Sequence, residues 1–179
     1  SPAVIYSIVY FGISIIQEVD IYSINYRNFA WFAGNSLLLL AAYPLIYVFE
    51  KVFSFLSDVT LMELSDTNHP VLRELAEKAP GTFQHSLQVG NLSEEAIRQI
   101  GGNPLLARTG ALYHDIGKMD IPQYFIENQS HGVNPHDNMD FDKSAEVIIS
   151  HVKRGVEKAK KHNIPDMIIE FIKTHHGTG

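Results

Sequence analysis

Between Asn28 and Phe49 the chain runs for about 22 residues without a single Asp, Glu, Lys, Arg or His. As a helix, a run of that length matches the ~30 Å of hydrocarbon in a bilayer. The alternative is a helix buried on every side of a large soluble protein, and 179 residues offer too little chain to cover it. Trp31 and Tyr47 stand near the two ends, as interfacial aromatics do, and Pro44 is tolerable in a membrane helix, where it introduces a kink. The run is therefore expected to cross a membrane. Residues 1–17 are uncharged too, but Ser7, Gly12 and Ser14 dilute them. They are expected to be part of a second span or a re-entrant piece. They lack the basic start and small-residue cleavage site of a signal peptide. Residues 1–49 are thus a membrane segment of one or two helices, with a short loop from Gln17 to Arg27.

The rest of the chain has a different chemistry. Residues 1–60 hold two basic and four acidic residues, and residues 61–179 hold twelve and sixteen. The net charge of -6 gives no sign of a general DNA or RNA binder, and the absence of Cys excludes disulfides and thiolate sites. Residues 50–64 are expected to form an amphipathic helical linker, with Val52, Phe55, Leu56, Val59 and Met62 at three- and four-residue steps. The turn formers Ser65 to Pro70 then open a domain over residues 65–179. Its expected helices cover Val71 to Lys78, Thr82 to Ile100 with Thr82 as N-cap, Pro104 to Ile116, Asp142 to His162 and Pro165 to His176, with a loop from Ile121 to Asp140. There is no strand alternation, so the class is all-α. On the second of these helices His85, Val89, Leu92, Ala96 and Ile100 form one stripe, which is expected to face inward. Ala107, Gly110, Ala111 and His114 form a small-residue stripe that would let a neighbouring helix come close.

The chemistry is concentrated in an ordered series: His85, then His114-Asp115, then His151, then His175-His176. Each member lies on its own expected helix, in phase with apolar residues. A single inward His is ordinarily a hydrogen-bonded core residue. Five with one Asp are different, because burying so many titratable groups without a cation costs several kcal/mol. Imidazole and carboxylate without thiolate suit a first-row transition metal bound through nitrogen and oxygen. A carboxylate shared between two ions holds them ~3.5–4 Å apart, the spacing used for phosphoryl hydrolysis. Lys118, one turn after His114, would either steady an anionic phosphate or cap a helix C-terminus. Glu127-Asn128-Gln129 is expected to be a loop near the site. His69, His131, His136 and His162 fit no ligand role and are expected to be surface or structural.

The His-Asp series resembles the metal-dependent HD phosphohydrolase superfamily. The words Leu64-Ser65-Asp66-Thr67-Asn68-His69-Pro70, Ala79-Pro80-Gly81-Thr82-Phe83-Gln84-His85, Tyr113-His114-Asp115-Ile116-Gly117-Lys118, Phe125-Ile126-Glu127-Asn128-Gln129, Asn134-Pro135-His136-Asp137 and His175-His176-Gly177-Thr178 narrow the resemblance. They are similar to the PgpH-type cyclic-di-AMP phosphodiesterases, the 7TM-HD family, over roughly Ala41 to Gly179. The resemblance implies an all-α HD-domain bundle behind transmembrane helices, in a multi-pass protein of the bacterial plasma membrane with the HD domain in the cytoplasm. It implies two metal ions, Fe or Mn, one held by His85, His114 and Asp115 and the other by His151, His175 and His176, with Asp115 bridging. It implies hydrolysis of cyclic-di-AMP to pApA.

Further expectations follow from the resemblance. The family has one more Asp ligand downstream of its His-His pair, so the sequence is expected to be a piece of a longer protein. Tyr113, Tyr124 and Phe125 are the candidates for apolar substrate walls, and Asp115 and Lys118 for catalytic roles. The expected partners are the cyclic dinucleotide and membrane lipid, with a homodimer left open. The rival readings are an HD-GYP enzyme acting on cyclic-di-GMP, a (p)ppGpp or deoxynucleotide hydrolase, and a catalytically silent nucleotide receptor. The Gly177-Thr178-Gly179 that follows His-His departs from the Glu expected of an HD-GYP domain.

Overall fold

A computed structural model describes residues 2–18, 25–53, 56–129 and 134–177. Every regular element among the described residues is helical. The chain divides into two compact units, Ser1–Phe55 and Leu56–Gly179.

The first unit is a pair of helices, α1 (Pro2–Glu18) and α2 (Arg27–Phe53). They meet through rings: Tyr10 lies 5.6 Å, centroid to centroid, from both Phe29 and Phe32, and Tyr6 lies 6.0 Å from Phe32. Ser14 and Ser36 are buried, whereas Leu37, Leu38, Leu40 and Tyr47 are each more than 60 % exposed. A helix pair that buries hydroxyls and exposes leucines is the reverse of a water-soluble pair. The stretch Arg27–Phe49 is long and apolar enough to cross a membrane, with a mean hydropathy of 1.7.

The second unit contains α3 (Asp58–Ser65), α4 (Pro70–Lys78), α5 (Pro80–Ile100), α6 (Pro104–Tyr113), α7 (Phe141–Lys161) and α8 (Asp166–Thr174). Short 3-10 turns fill Ile116–Asp120, Pro122–Tyr124, Ile126–Asn128 and Pro135–Asn138. The core gathers Leu61, Leu64, Val71, Leu72, Leu75, Leu112, Ile116, Ile168, Ile169 and Ile172. The sequence cues set most helix ends: Asn103 accepts from Leu106 N ahead of Pro104, and Gly101 ends α5 at a φ of 77°.

Several expectations need correction. The linker is not one helix. Helix α2 runs on to Phe53, and Ser57 caps a new one by accepting from Thr60 N at 3.3 Å. Leu61 and Leu64 are its buried residues, while Val59 and Met62 are exposed; Phe55 lies outside the described residues. Thr82 is not an N-cap, because Pro80 starts α5 two residues earlier and leaves Thr82 buried in its first turn. The stripe of α5 is reversed as well. Thr82, Ser86 and Gly90 are its buried residues, and Leu92 and Ile100 are 72 % and 78 % exposed. Residues with small side chains line the face of α5 that meets α6, where a Cβ at Gly90 would make ordinary contact with Arg108 O at 3.6 Å. That contact turns the larger apolar residues outward. Finally, α6 ends at Tyr113 and not near Ile116, so His114 and Asp115 sit on a sharp exit from the helix.

Candidate metal centre

Two helix ends and one mid-helix turn supply most of the site. His114 and Asp115 leave the end of α6, His151 comes from the middle of α7, and His175 and His176 follow the last turn of α8. Small residues bring these elements together. A Cβ on Gly117 would meet His151 O at 1.9 Å and Gly155 N at 2.5 Å, so only glycine lets the turn after Asp115 lie on α7. A Cβ on Gly110 would meet the Phe171 ring at 2.4 Å, and that contact seats α8 against α6.

The six expected ligands fall into two groups, His85 with His114 and Asp115, and His151 with His175 and His176. Within each group the ligand atoms lie within 4.8 Å of one another. Asp115 faces both. Its Oδ2 is 3.0 Å from His114 Nε2, and its Oδ1 is 3.3 Å from His151 Nε2 and 3.5 Å from His175 Nε2. Asp115 and His151 are buried, His175 is half-buried, and His85 and His176 are exposed. The expectation that His85 points inward is corrected: it stands at the opening, with its ring 5.7 Å from that of His114.

The proton positions follow from the backbone. Nδ1 of His114, His151 and His175 lies against the carbonyl three residues earlier, Ala111 O at 2.6 Å, Ile148 O, and Ile172 O at 2.9 Å. A carbonyl only accepts, so each Nδ1 carries a proton, and the lone pair a ring can offer as a ligand is the one on Nε2, which is turned to the centre. His151 Nε2 is 3.3 Å from Nε2 of both His175 and His176. Two facing lone pairs repel unless something positive lies between them. Asp115 Oδ1 is likewise buried with no hydrogen-bond partner. Converging lone pairs, an orphaned carboxylate oxygen and imidazoles fixed by backbone carbonyls are the donor set that one or two cations satisfy. The residues present fit the implied metals.

Electrostatics supports this. Burial pushes the Asp115 carboxyl up, but hydrogen bonds from His114, His151 and His175, formed when their Nε2 atoms carry protons in place of a metal, outweigh it and hold the group well below the usual carboxylate range. Burial, helped by His175 and His151, holds His176 below the ordinary imidazole value, so its ring stays neutral and able to ligate. Lys118 is tucked in beside them, with Nζ 2.8 Å from Asp115 Oδ2 and 3.0 Å from Glu127 Oε1. Burial lowers its pKa, but the Asp115 and Glu127 carboxylates outweigh that and leave it above the ordinary lysine value, keeping the ammonium charged.

Of the three wall candidates, only Phe125 reaches the site, its ring 5.7 Å from that of His151 and 4.9 Å below Lys118 Nζ. Tyr124 lies against His136, with ring centroids 5.4 Å apart. Tyr113 is fully buried; its hydroxyl donates to Leu64 O at 3.0 Å and lies 2.9 Å from His69 Nδ1, so it belongs to the core and not to a substrate wall. A groove of about 680 Å³ does open beside the site, lined by His85, His114 and His175 together with Val89, Ala96, Ala107 and Phe171. The α5 residues Val89 and Ala96 line this groove and are not core, which corrects the expectation that their stripe faces inward. A ligand at the head of an apolar stripe was the signal that the stripe borders the site.

Residues 82–179 match the HD domain family. The chain belongs to that family. It is 43 % identical over 151 residues to the cyclic-di-AMP phosphodiesterase PgpH of Listeria monocytogenes (84 % of this chain, 21 % of that protein). It is 44 % identical over 145 residues to PgpH of Bacillus subtilis (81 % and 20 %). The chain thus spans about a fifth of the length of these curated relatives. The crystal structure of the L. monocytogenes PgpH HD domain in complex with cyclic-di-AMP superposes with a TM-score of 0.61 at 47 % identity, covering 64 % of this chain and 53 % of that one. The L. monocytogenes structure is that of an HD domain, the family that the His-Asp series resembles.

Proposed function

We propose that this chain carries the HD part of a membrane-anchored phosphodiesterase that hydrolyses cyclic-di-AMP to pApA. The observation that carries the reading is Asp115, which offers one carboxylate oxygen to each of two imidazole groups. Such a carboxylate suits a pair of metal ions, Fe or Mn, with His85 and His114 on one side and His151, His175 and His176 on the other. When bound, the ions would supply a nucleophilic water at neutral pH and stabilise charge on the phosphate. The chain's own residues do the rest. The three backbone-anchored imidazoles keep their Nε2 atoms fixed in orientation. Lys118 carries three ammonium protons, of which Asp115 and Glu127 take two. The third is free for a nonbridging phosphate oxygen. The likeness to a domain that binds cyclic-di-AMP supports the choice of substrate.

In the same reading, residues 1–49 anchor the protein in lipid, 50–64 link, and 65–179 form the hydrolase domain on the cytoplasmic side. The test is a competition assay on a chain carrying the whole HD domain, with matched metal load. Cyclic-di-AMP should be cleaved at least about tenfold faster in kcat/KM than cyclic-di-GMP, a difference of ~1.4 kcal/mol in transition-state stabilisation. Equal rates would reduce the reading to an HD hydrolase of another substrate.

A further inference from the structure

We propose that Glu127 is a positioning residue for Lys118, holding its ammonium beside Asp115 so that one N–H stays directed at the scissile phosphate; the proposal rests on the phosphodiesterase reading above. Glu127 lies in the Ile126–Asn128 turn, outside the His-Asp series and far in sequence from the start of α5. The structure fastens it there. Thr82 Oγ1 donates to Glu127 Oε1 at 3.0 Å, the oxygen that also accepts from Lys118. The next residue closes the clamp: Thr82 N donates to Asn128 Oδ1 at 3.1 Å, and Asn128 Nδ2 donates to Thr82 Oγ1 at 2.7 Å. A Cβ on Gly81 would fall 1.8 Å from Glu127 O, so the turn lies directly on the first residues of α5. Thr82 is fully buried. The Glu127 carboxylate is therefore anchored by one helix while it faces a cation supplied by another element.

A lysine needs such an anchor. Its four-carbon stem carries ~2 kcal/mol of rotamer entropy, and its ammonium has no preferred direction of its own. Asp115 is a poor sole anchor, because its oxygens face the imidazole groups as well. Phe125 lies beneath the cation, 4.9 Å away, and limits its movement on that side. Glu127 supplies the remaining constraint. Asn128 and Thr82 would hold the turn on α5 without any charge at position 127, so a purely structural turn does not need the carboxylate.

The test uses the whole HD domain, loaded with metal, as wild type, Glu127→Gln, Lys118→Met and the double variant. Glu127→Gln should keep wild-type metal content and melting temperature, lower kcat about tenfold and move KM less than about threefold. In the Lys118→Met background the same substitution should change kcat less than about twofold, because the residue acts only through Lys118. Glu127→Asp should recover part of the loss. In metal-free protein, the ¹⁵Nζ signal of Lys118 should be sharp in wild type and broadened in Glu127→Gln. An equal fall in both backgrounds, or an unchanged kcat with a sharp Nζ signal in Glu127→Gln, overturns the proposal. If wild type itself leaves cyclic-di-AMP intact, the phosphodiesterase reading fails, and the Nζ signal alone decides whether Glu127 holds Lys118.

Discussion

The two units of this chain break the usual burial pattern in opposite ways. The α1–α2 pair exposes Leu37, Leu38, Leu40 and Tyr47 and buries Ser36, whose hydroxyl has no partner. The second unit has an ordinary aliphatic core but buries Asp115 and His151, with Asp115 Oδ1 unpartnered. The first unit leaves apolar surface open, and the second leaves ligand lone pairs open. Large exposed apolar surface is satisfied by lipid or another apolar surface; converging lone pairs are satisfied by cations. The comparison teaches that a violated burial rule indicates what a region was built to meet, and that the two violations here call for different environments.

The strongest way to break this comparison is at Asp115. In a chain carrying the whole HD domain, Asp115→Ala should lower kcat by ~10³-fold or more, about 4 kcal/mol. It should also reduce bound metal from about two ions per chain. Elemental analysis with kinetics decides the matter, and full metal occupancy in the variant would remove the bridging role.

The matching test on the first unit is Leu39→Arg, at a site 50 % exposed. In a membrane-spanning helix this should cost about 3–4 kcal/mol of insertion free energy, the unfavourable Arg term plus the lost Leu term. An insertion assay with a glycosylation reporter reads it, and unchanged insertion would argue against a lipid-facing α2.

A smaller effect is expected at Gly117→Ala. The new Cβ would meet backbone atoms of His151 and Gly155, so thermal unfolding of the metal-free domain should show a loss of about 2 kcal/mol. A melting temperature within a degree of wild type would mean that the turn and α7 separate more easily than their contact suggests.

The smallest is Tyr113→Phe. Losing the hydroxyl's contacts with Leu64 O and His69 Nδ1 should cost about 1 kcal/mol of stability and leave KM for cyclic-di-AMP unchanged. A raised KM with unchanged stability would return Tyr113 to the substrate wall.

Much of this was legible before the fold was known. Helix starts at Pro70 and Pro104 follow from the fixed φ of proline, and the charge-free run followed from counting. The six candidate ligands could be named because imidazoles and a carboxylate in such an order are chemically conspicuous. The orientation of α5 could not be read. Periodicity finds an apolar stripe but not which neighbour it meets, and here the closer helix contact selected Thr82, Ser86 and Gly90 over Val89, Leu92 and Ile100. The place of Tyr113 could not be read either: it is next to His114 in sequence, but its ring is buried in the core with its hydroxyl on Leu64 O, while His114 faces the site.

The sequence by itself determined the residue types: an uncharged span, a helical class, a nitrogen-and-oxygen ligand set and its order. Those are properties of composition and spacing, which local chemistry fixes. Only the tertiary structure decided that Asp115 turns one oxygen to each histidine group, that Glu127 rather than Asp115 alone holds Lys118, and that Gly117 is what lets His151 approach. Each of these depends on contacts between segments distant along the chain. Such contacts are set by which surfaces pack most closely, a quantity that no single segment carries.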